Sequence, residues 1–510
     1  MEAVATPATG AIVLVGFMGA GKTSTARALA GPLRAQPLDA DHELERRLGE
    51  PIENFFDREG EAEFRAREEE VVLELLARPD ARVVALGGGS LGSERVREAL
   101  ARHTVVHLEV DPDAAWRRAS GKGRPLARDA SRFRELYEDR RALYDSVAHA
   151  IVPPGDRGGA VRALEALEAL REAPPGTRLV WATSESGEYP VFVGRGLIAA
   201  GFFHPPGGRR FVVTDENVAL HHRMTGDGGA AIHPGEAAKN LQSAEWVLRR
   251  MAVAGIGHDD VVVAVGGGVV GDLAGFCAAV YQRGVRHVQV PTTLVAQVDS
   301  AFGGKTGVDL PEGKNYAGAF HQPSAVLVDA DALETLPAQE KAAGYAEVVK
   351  TALIAGGPLW ARVREGRDPD ESIVLGCLRT KLGVVAEDER DSGRRQVLNL
   401  GHTVAHAIEA ATGYSRYRHG EAVAIGLLAA LRLSGRDVLR DEVAGLFAER
   451  GLPLKFEGAT AAEVAEMVRR DKKRRGTRVP FVLVQAPGDV THGHEVDEAD
   501  VLAAIEEVRA

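Results

Sequence analysis

His402 and His406 stand four apart in Leu398-Asn399-Leu400-Gly401-His402-Thr403-Val404-Ala405-His406-Ala407-Ile408-Glu409, and His419 follows at the head of the apolar run 422–431. On a helix, residues four apart project to one side, one turn from each other. Upstream, Ala346-Glu347-Val348-Val349-Lys350 puts a carboxylate and an ammonium three apart on a second helical face. Two or three imidazoles and a carboxylate from separate helices suit a catalytic zinc, which takes three protein ligands and keeps one position open. Near the other end, Gly16-Phe17-Met18-Gly19-Ala20-Gly21-Lys22-Thr23 satisfies G-x-x-x-x-G-K-[ST]. Backbone N–H groups of such a loop and the helix after it hold a β-phosphate, while Lys22 reaches the β/γ oxygens and Thr23 a magnesium ion.

The elements that must position these groups follow from periodicity. Strand-like runs at 11–15, 82–86, 105–110, 211–214, 261–265, 287–290 and 325–328 alternate with helical patterns, which predicts α/β structure with mostly parallel sheet. Past Ala332 long amphipathic segments predominate, so a helical portion is expected. Pro174-Pro175-Gly176 is the clearest seam, with a helical run over 160–173 before it and a fresh strand over 177–182 after it. At 510 residues the chain is too long for one ordinary domain, and 45% hydrophobic content supports several cores. A net charge of −11 argues against nucleic acid as a partner. Cys277 and Cys377 lie in apolar runs, as free thiols of a reducing compartment do. With no apolar run of about 18 residues and no charged-then-apolar leader, a soluble cytoplasmic protein is expected, with no membrane partner.

In the front segment, Asp39-Ala40-Asp41 follows a short strand-like stretch; one carboxylate could hold magnesium water and the other a substrate hydroxyl. Arg65 and Glu68, three apart on a charged helix, read as a solvated pair. Gly87-Gly88-Gly89 admits close backbone approach to a small ligand, and the stretch from Arg117 to Arg124 has the makings of a basic lid. Together with Phe64-Arg65, Arg124-Pro125-Leu126 and Arg140…Leu143-Tyr144, these motifs resemble shikimate kinase over about 170 residues, in that family's order. Ala142 stands where the family usually has proline. The resemblance implies a P-loop domain of nucleoside-monophosphate-kinase type over 1–174, with ATP and Mg2+ held at Gly16, Gly19, Gly21, Lys22, Thr23, Asp39 and, against adenine, Arg117. Asp41, Arg65, Gly88 and Arg140 would bind shikimate, Asp41 orienting its attacking hydroxyl, while Lys22 and Arg124 stabilise the phosphoryl group in flight. Arginine suits a carboxylate through bidentate hydrogen bonding.

In the rear segment, Gly266-Gly267-Gly268-Val269-Val270-Gly271-Asp272 meets G-x-G-x-x-G after a strand, but no acidic residue follows at about twenty positions. Asp215, at the end of an earlier strand, could take that role. Gly303-Gly304-Lys305-Thr306 is not a second phosphate loop, because Asp299 occupies the position of the first glycine. Arg283, Asp299, Lys305, Lys314 and Asn315 cluster in a glycine-rich stretch without helical period, and suit a phosphorylated polyol. These motifs, with Pro291-Thr292-Thr293-Leu294, Ala346…Lys350, Asn399…His406 and His419-Gly420-Glu421-Ala422-Val423, resemble 3-dehydroquinate synthase from about 178 to the end. The resemblance implies an α/β NAD-binding domain over 175–331 and an all-helical metal- and substrate-binding domain over 332–510. It selects Glu347, His402 and His419 as ligands of Zn2+ (or Co2+), with His406 as a substrate-contacting proton shuttle. NAD would lie on Asp215, Glu236, Lys239, Gly266, Gly267, Gly268, Asp272, Thr292, Thr293 and Thr335. Substrate would be held by Asp299, Lys305, Lys314, Asn315, Lys350, Lys381, Arg395, Asn399 and Lys472, with Lys305 and Lys350 also catalytic and Arg283 reaching across a homodimer interface.

Such an enzyme oxidises one carbinol of a heptulosonate phosphate, eliminates phosphate, reduces the carbonyl again and recloses the ring, with no net redox change. The expected protein is thus a fusion of shikimate kinase and 3-dehydroquinate synthase. A different sugar-phosphate cyclase or a metal-dependent polyol dehydrogenase in the rear half is the alternative, and a half reduced to a scaffold a third.

Overall fold

Short runs of valine, isoleucine and alanine form the strands, because β-branched side chains fill a sheet covered on both faces. The computed structural model describes residues 10–121, 125–154, 158–475 and 480–510, at 125 and 471–475 the backbone alone. The chain divides into two compact units: Met1–Ala182 with Tyr189–Pro205, and Thr183–Glu188 with Pro206–Ala510.

In the first unit β1 (Ile12–Val15), β2 (Pro37–Asp39), β3 (Val83–Ala85), β4 (Thr104–Leu108), β5 (Ala150–Val152), β6 (Arg178–Thr183) and β7 (Glu188–Gly194) lie in the order β2-β3-β1-β4-β5-β6-β7. Strand β1 is central, pairing in parallel with β3 (Val13 beside Val84) and β4 (Val13 beside Val105). Its four side chains are buried, so the loop at its carboxyl end is fixed by the sheet. Phe133 anchors the helix Ala130–Val147, with Phe17 edge-on at 4.9 Å and Trp116 at 5.2 Å. The helical run read over 160–173 is two short helices, Gly159–Arg162 and Leu164–Ala169, and β6 and most of β7 group with this unit although they follow Pro174-Pro175-Gly176.

The second unit contributes β8 (Arg210–Asp215), β9 (Gly228–Ile232), β10 (Val261–Gly266), β11 (Arg286–Pro291), the antiparallel ribbon β12 (Lys305–Leu310) and β13 (Gly313–Phe320), and β14 (Ala325–Asp329). The parallel sheet runs β14-β11-β10-β8-β9, with Val263 of β10 between Val212 and Val288. After β14 the unit is largely helical, with one antiparallel ribbon, β15 (Phe481–Ala486) and β16 (Asp489–His494), inside the stretch expected to be all helix. Among the described residues no helix is long and apolar enough to cross a membrane.

Three helices bring the expected metal ligands together: Ala338–Ala355 carries Glu347, His402–Ala411 begins with His402, and His419–Leu433 begins with His419. Small residues permit their close approach. A Cβ on Gly420 would lie 1.9 Å from the carbonyl oxygen of Ala343, and one on Gly426 would lie 2.2 Å from that of Gly401. Gly420→Ala is therefore expected to push two backbones apart beside His419, costing about 1–3 kcal/mol. A lowered thermal midpoint for the second unit with kinase activity retained would bear this out; an unchanged midpoint would show that the crossing has slack.

Candidate active sites

The phosphate loop is built from backbone. Gly16, Gly19 and Gly21 have φ of 145°, 82° and 93°, a region glycine alone enters freely. Gly21 precedes the helix Lys22–Ala30 and provides no side-chain cap, leaving the first N–H groups to an anion. The Lys22 ammonium donates to the carbonyls of Gly16 (2.8 Å) and Phe17 (3.2 Å), so it is folded over the loop. Thr23 Oγ1 donates to Asp39 Oδ2 at 2.6 Å, which places the hydroxyl and the carboxylate expected to serve magnesium side by side. Asp39 also caps the helix Ala40–Leu48, setting Asp41 in its first turn. Arg118, one residue beyond Arg117, donates to the carbonyl of Gly19 at 3.1 Å.

Beyond the loop, a cavity is lined by Arg65, Glu68, Gly88, Gly89, Arg140 and Tyr144. Gly88 O accepts from Arg140 Nη1 at 3.0 Å and from the Tyr144 hydroxyl at 2.5 Å. Burial lowers the Arg140 guanidinium below its usual range and pushes the Tyr144 phenol up to about 12. The Arg65–Glu68 pair is not the solvated pair of the sequence reading. Glu68 is 3% exposed and holds Arg65 at 2.5 Å and Ser90 Oγ at 3.0 Å, because it lies under the triple glycine. A Cβ on Gly87 would strike Glu68 Oε1 at 2.1 Å and one on Gly89 the Arg65 guanidinium at 2.2 Å, so the glycines make room for the arginine–carboxylate pair. Arg124 falls outside the described residues.

In the second unit, β10 ends at Gly266 and the helix Gly268–Val280 starts immediately, again without a side-chain cap. A Cβ on Gly267 would lie 2.9 Å from Thr293, and Thr292 N donates to Gly266 O at 2.9 Å, so both threonines border the glycine turn. Asp215 Oδ1 accepts from the N–H groups of Asn217 and Val218 at 2.9 Å each. Lys239 lies between Glu236 (2.8 Å) and Asp272 (3.4 Å). Burial pushes the Asp272 carboxyl up to about 6 against the pull of Lys239. Thr335 Oγ1 lies 2.9 Å from His222 Nε2.

Glu347 is the centre of the third cluster. Its Oε1 lies 3.5 Å from His402 Nε2 and 3.4 Å from His419 Nε2, and the three side chains offer atoms all within 4.8 Å of one another. Glu347 Oε2 forms an ion pair with Lys350 Nζ at 2.6 Å, and Lys350 donates a hydrogen bond to Asp299 Oδ2 at 2.9 Å. Lys381 completes the chain by donating to Asp299 O at 2.6 Å and to its carboxylate. Asp299 lies on a single π-helical turn, Ala296–Ser300, a local geometry that recurs at functional sites. Burial opposes charge on both acids, yet Lys350, with His402 at Glu347 and Lys381 at Asp299, holds them well below the usual carboxylate range. Burial likewise lowers His419, but Glu347 and Glu409 together raise it to about 10. A divalent ion fits this donor set: two imidazoles and a carboxylate converge, and the negative charge that attracts a proton to His419 would be met by the metal.

Around this centre the structure brings most of the expected substrate ligands. Lys314 on β13 reaches Glu409 (3.0 Å), and Lys305 on β12 reaches Asp391 (2.5 Å). Asn315 has φ 57°, its N–H held by Asp309. Arg395 is buried, donating to Glu389 O (2.5 Å) and Gly303 O (3.0 Å); Asn399 ends the 3-10 turn Arg394–Asn399 just before His402. The His406 ring centroid lies 5.4 Å from that of His402 and 5.9 Å from that of His419. Arg283 is exposed on a left-handed turn after the helix Gly268–Val280. Lys472 is on the helix Ala461–Arg475, its side chain outside those described. Three acids at this centre are not among the expected site residues: Glu389, buried with Ser186 and Gln322 on its carboxylate, Asp391 and Glu409. Glu409 did carry a signal, since it lies three beyond His406 and seven beyond His402 on one helical face.

Comparison with known proteins accounts for both halves. The shikimate kinase family model matches residues 18–171, the 3-dehydroquinate synthase N-terminal model 229–343 and the 3-dehydroquinate synthase C-terminal model 344–474. A 3-dehydroquinate synthase of Acidithiobacillus ferrooxidans is 41% identical over 344 residues, 62% of this chain and 94% of its own. One of Halorhodospira halophila is 42% identical over 346 residues, covering 63% and 97%. In fold, the chain is like 2-epi-5-epi-valiolone synthase from Streptomyces hygroscopicus with NAD+ and Zn2+ bound (TM-score 0.58, 24% identity, 64% of this chain and 98% of that one). It is also like 2-deoxy-scyllo-inosose synthase complexed with carbaglucose-6-phosphate, NAD+ and Co2+ (TM-score 0.57, 22% identity, 65% and 100%). The chain belongs to the 3-dehydroquinate synthase family and carries a shikimate kinase domain ahead of its synthase domains.

Proposed function

We propose that the front half phosphorylates shikimate with ATP, and that the rear half converts 3-deoxy-D-arabino-heptulosonate 7-phosphate to 3-dehydroquinate and phosphate. The observation that carries the rear half is the convergence of His402 and His419 on buried Glu347, with Lys350, Asp299 and Lys381 on its flank. Relatives at 41% identity named 3-dehydroquinate synthase favour this substrate over those of the other cyclases, which are alike at 22–24%. The proposed division is 1–174 for the kinase, 175–331 for the NAD domain and 332–510 for the metal and substrate domain.

In the kinase, the loop N–H groups and Lys22 cradle the ATP phosphates, with Thr23 and Asp39 serving Mg2+ and Arg117 the adenine. Arg65 and Arg140 grip the shikimate carboxylate beside Gly88, while Asp41 accepts the hydroxyl proton and Lys22 and Arg124 neutralise the charge that develops on the phosphoryl oxygens. Magnesium supplies charge neutralisation at the β- and γ-phosphates.

In the synthase, Glu347, His402 and His419 would hold Zn2+ or Co2+, and the glycine turn with Asp215, Glu236, Lys239, Asp272, Thr292, Thr293 and Thr335 would hold NAD. When bound, these groups supply a Lewis acid for the reacting oxygens and a reversible hydride acceptor. Lys305, Lys314, Lys381, Arg395, Asn315, Asn399 and Lys472 orient phosphate, carboxylate and hydroxyls, which converts binding into positioning. Lys350 and Asp299 fix one another and the ligand Glu347. His406 moves the proton at the substrate carbinol. Arg283, exposed on its left-handed turn, reaches the site of a second copy in a homodimer formed by the synthase part. Buried free cysteines and dependence on ATP and NAD suit the cytoplasm.

Phosphate release from the heptulosonate phosphate should be abolished by a chelator and restored by Zn2+ or Co2+, with no net NADH. Steady NADH formation from a polyol would instead identify a dehydrogenase. Lys22→Ala should lower phosphoryl transfer by about a hundred- to a thousandfold, on the scale of one lost electrostatic clamp, and leave cyclisation within twofold; loss of both would contradict independent sites. Mixing Arg283→Ala chains with His402→Ala chains should regain cyclisation activity through hybrid dimers, and no regain would remove Arg283 from the partner's site.

A further inference from the structure

Glu409 is 2% exposed, yet one of its oxygens, Oε2, has no hydrogen-bond partner among the described residues. The other, Oε1, accepts from Lys314 Nζ at 3.0 Å and faces His419 Nδ1 at 3.5 Å. A buried carboxylate with a bare oxygen is costly unless the site uses it. The two imidazoles of the proposed metal group are arranged alike. His402 Nδ1 lies 3.1 Å from Leu400 O and its Nε2 points at Glu347; His419 Nδ1 faces Glu409 and its Nε2 points at the same Glu347 oxygen. A neutral imidazole, the form that binds a metal, presents a lone pair at Nε2 when it donates through Nδ1. Leu400 fixes that tautomer for His402 through backbone. For His419 the facing acceptor is the Glu409 carboxylate.

Resting on the function proposed above, we infer that Glu409 is a positioning residue: it sets the Nδ1–H tautomer of His419 and ties that ligand to the substrate-gripping Lys314. One oxygen is shared between the two. A substrate anion that draws Lys314 away leaves Oε1 to His419, which makes the imidazole a better donor, so substrate and metal should each tighten the other's binding. Lys314 sits on the strand Gly313–Phe320 and Glu409 on the helix His402–Ala411, so their contact joins a substrate-binding element to the helix that begins with His402.

The test uses the full chain, Co2+ as probe and chelator competition for affinity, with the Co2+ visible absorption as a second readout. Glu409→Gln should weaken Co2+ binding by about 10–100-fold, as loss of a partner to a metal-bound imidazole does, and shift the visible band. Glu409→Asp should recover part of both, and kinase activity should be unchanged. Unaltered affinity and spectrum in Glu409→Gln, with a raised KM alone, would overturn the inference and leave Glu409 a partner of Lys314 only. Failure of the parent chain to bind Co2+ would sink the metal reading itself. Should the variants not fold, nitrogen-15 histidine resonances of the Zn2+-loaded parent chain decide: a protonated Nδ1 on His419 is required, and a protonated Nε2 excludes the proposal.

Discussion

A carboxylate that is 1% exposed, Glu347, faces two imidazoles and an ammonium at the crossing of three helices. Removing such charges from water costs several kcal/mol each, and pairing recovers this only where the geometry leaves no charge unmatched. The chain Glu347–Lys350–Asp299–Lys381 meets that demand with two acids and two ammoniums in sequence. The small residues at Gly420 and Gly426, the π turn at Asp299 and the left-handed Gly401 all serve to bring these groups within reach. The rest of the second unit is organised by this requirement.

The two halves solve anion binding differently. The kinase loop uses N–H groups at an uncapped helix start, where partial charges are fixed by the backbone and need no side-chain ordering. The synthase surrounds its centre with cations held from behind: Lys314 by buried Glu409, Lys305 by half-buried Asp391, and Arg395 by the backbone carbonyls of Glu389 and Gly303. The first arrangement suits a phosphate chain that every nucleotide shares. The second suits one substrate whose phosphate, carboxylate and hydroxyls must all be placed relative to a reacting carbon. Because the products of one activity are not the substrates of the other, the fusion joins two separate steps.

Much of this was legible in the chain before folding. Family resemblance, and not spacing, picked out Glu347, His402 and His419. The phosphate loop and the parallel α/β alternation are local patterns: a strand, a glycine turn and a helix start are each fixed by a few neighbouring residues, and His402 and His406, four apart, share a face on any helix. Those features depend on backbone conformation and short-range spacing, so sequence alone determined them. What tertiary structure alone decided was environment. Glu68 beside Arg65 has the spacing of a surface pair, and it becomes a buried clamp because Gly87 and Gly89 close over it from another element. Glu409 has the right helical face, but its partners Lys314 and His419 come from a ribbon 95 residues away and a helix ten residues on. Burial and charge pairing are set by which distant surfaces meet, and no local pattern records that.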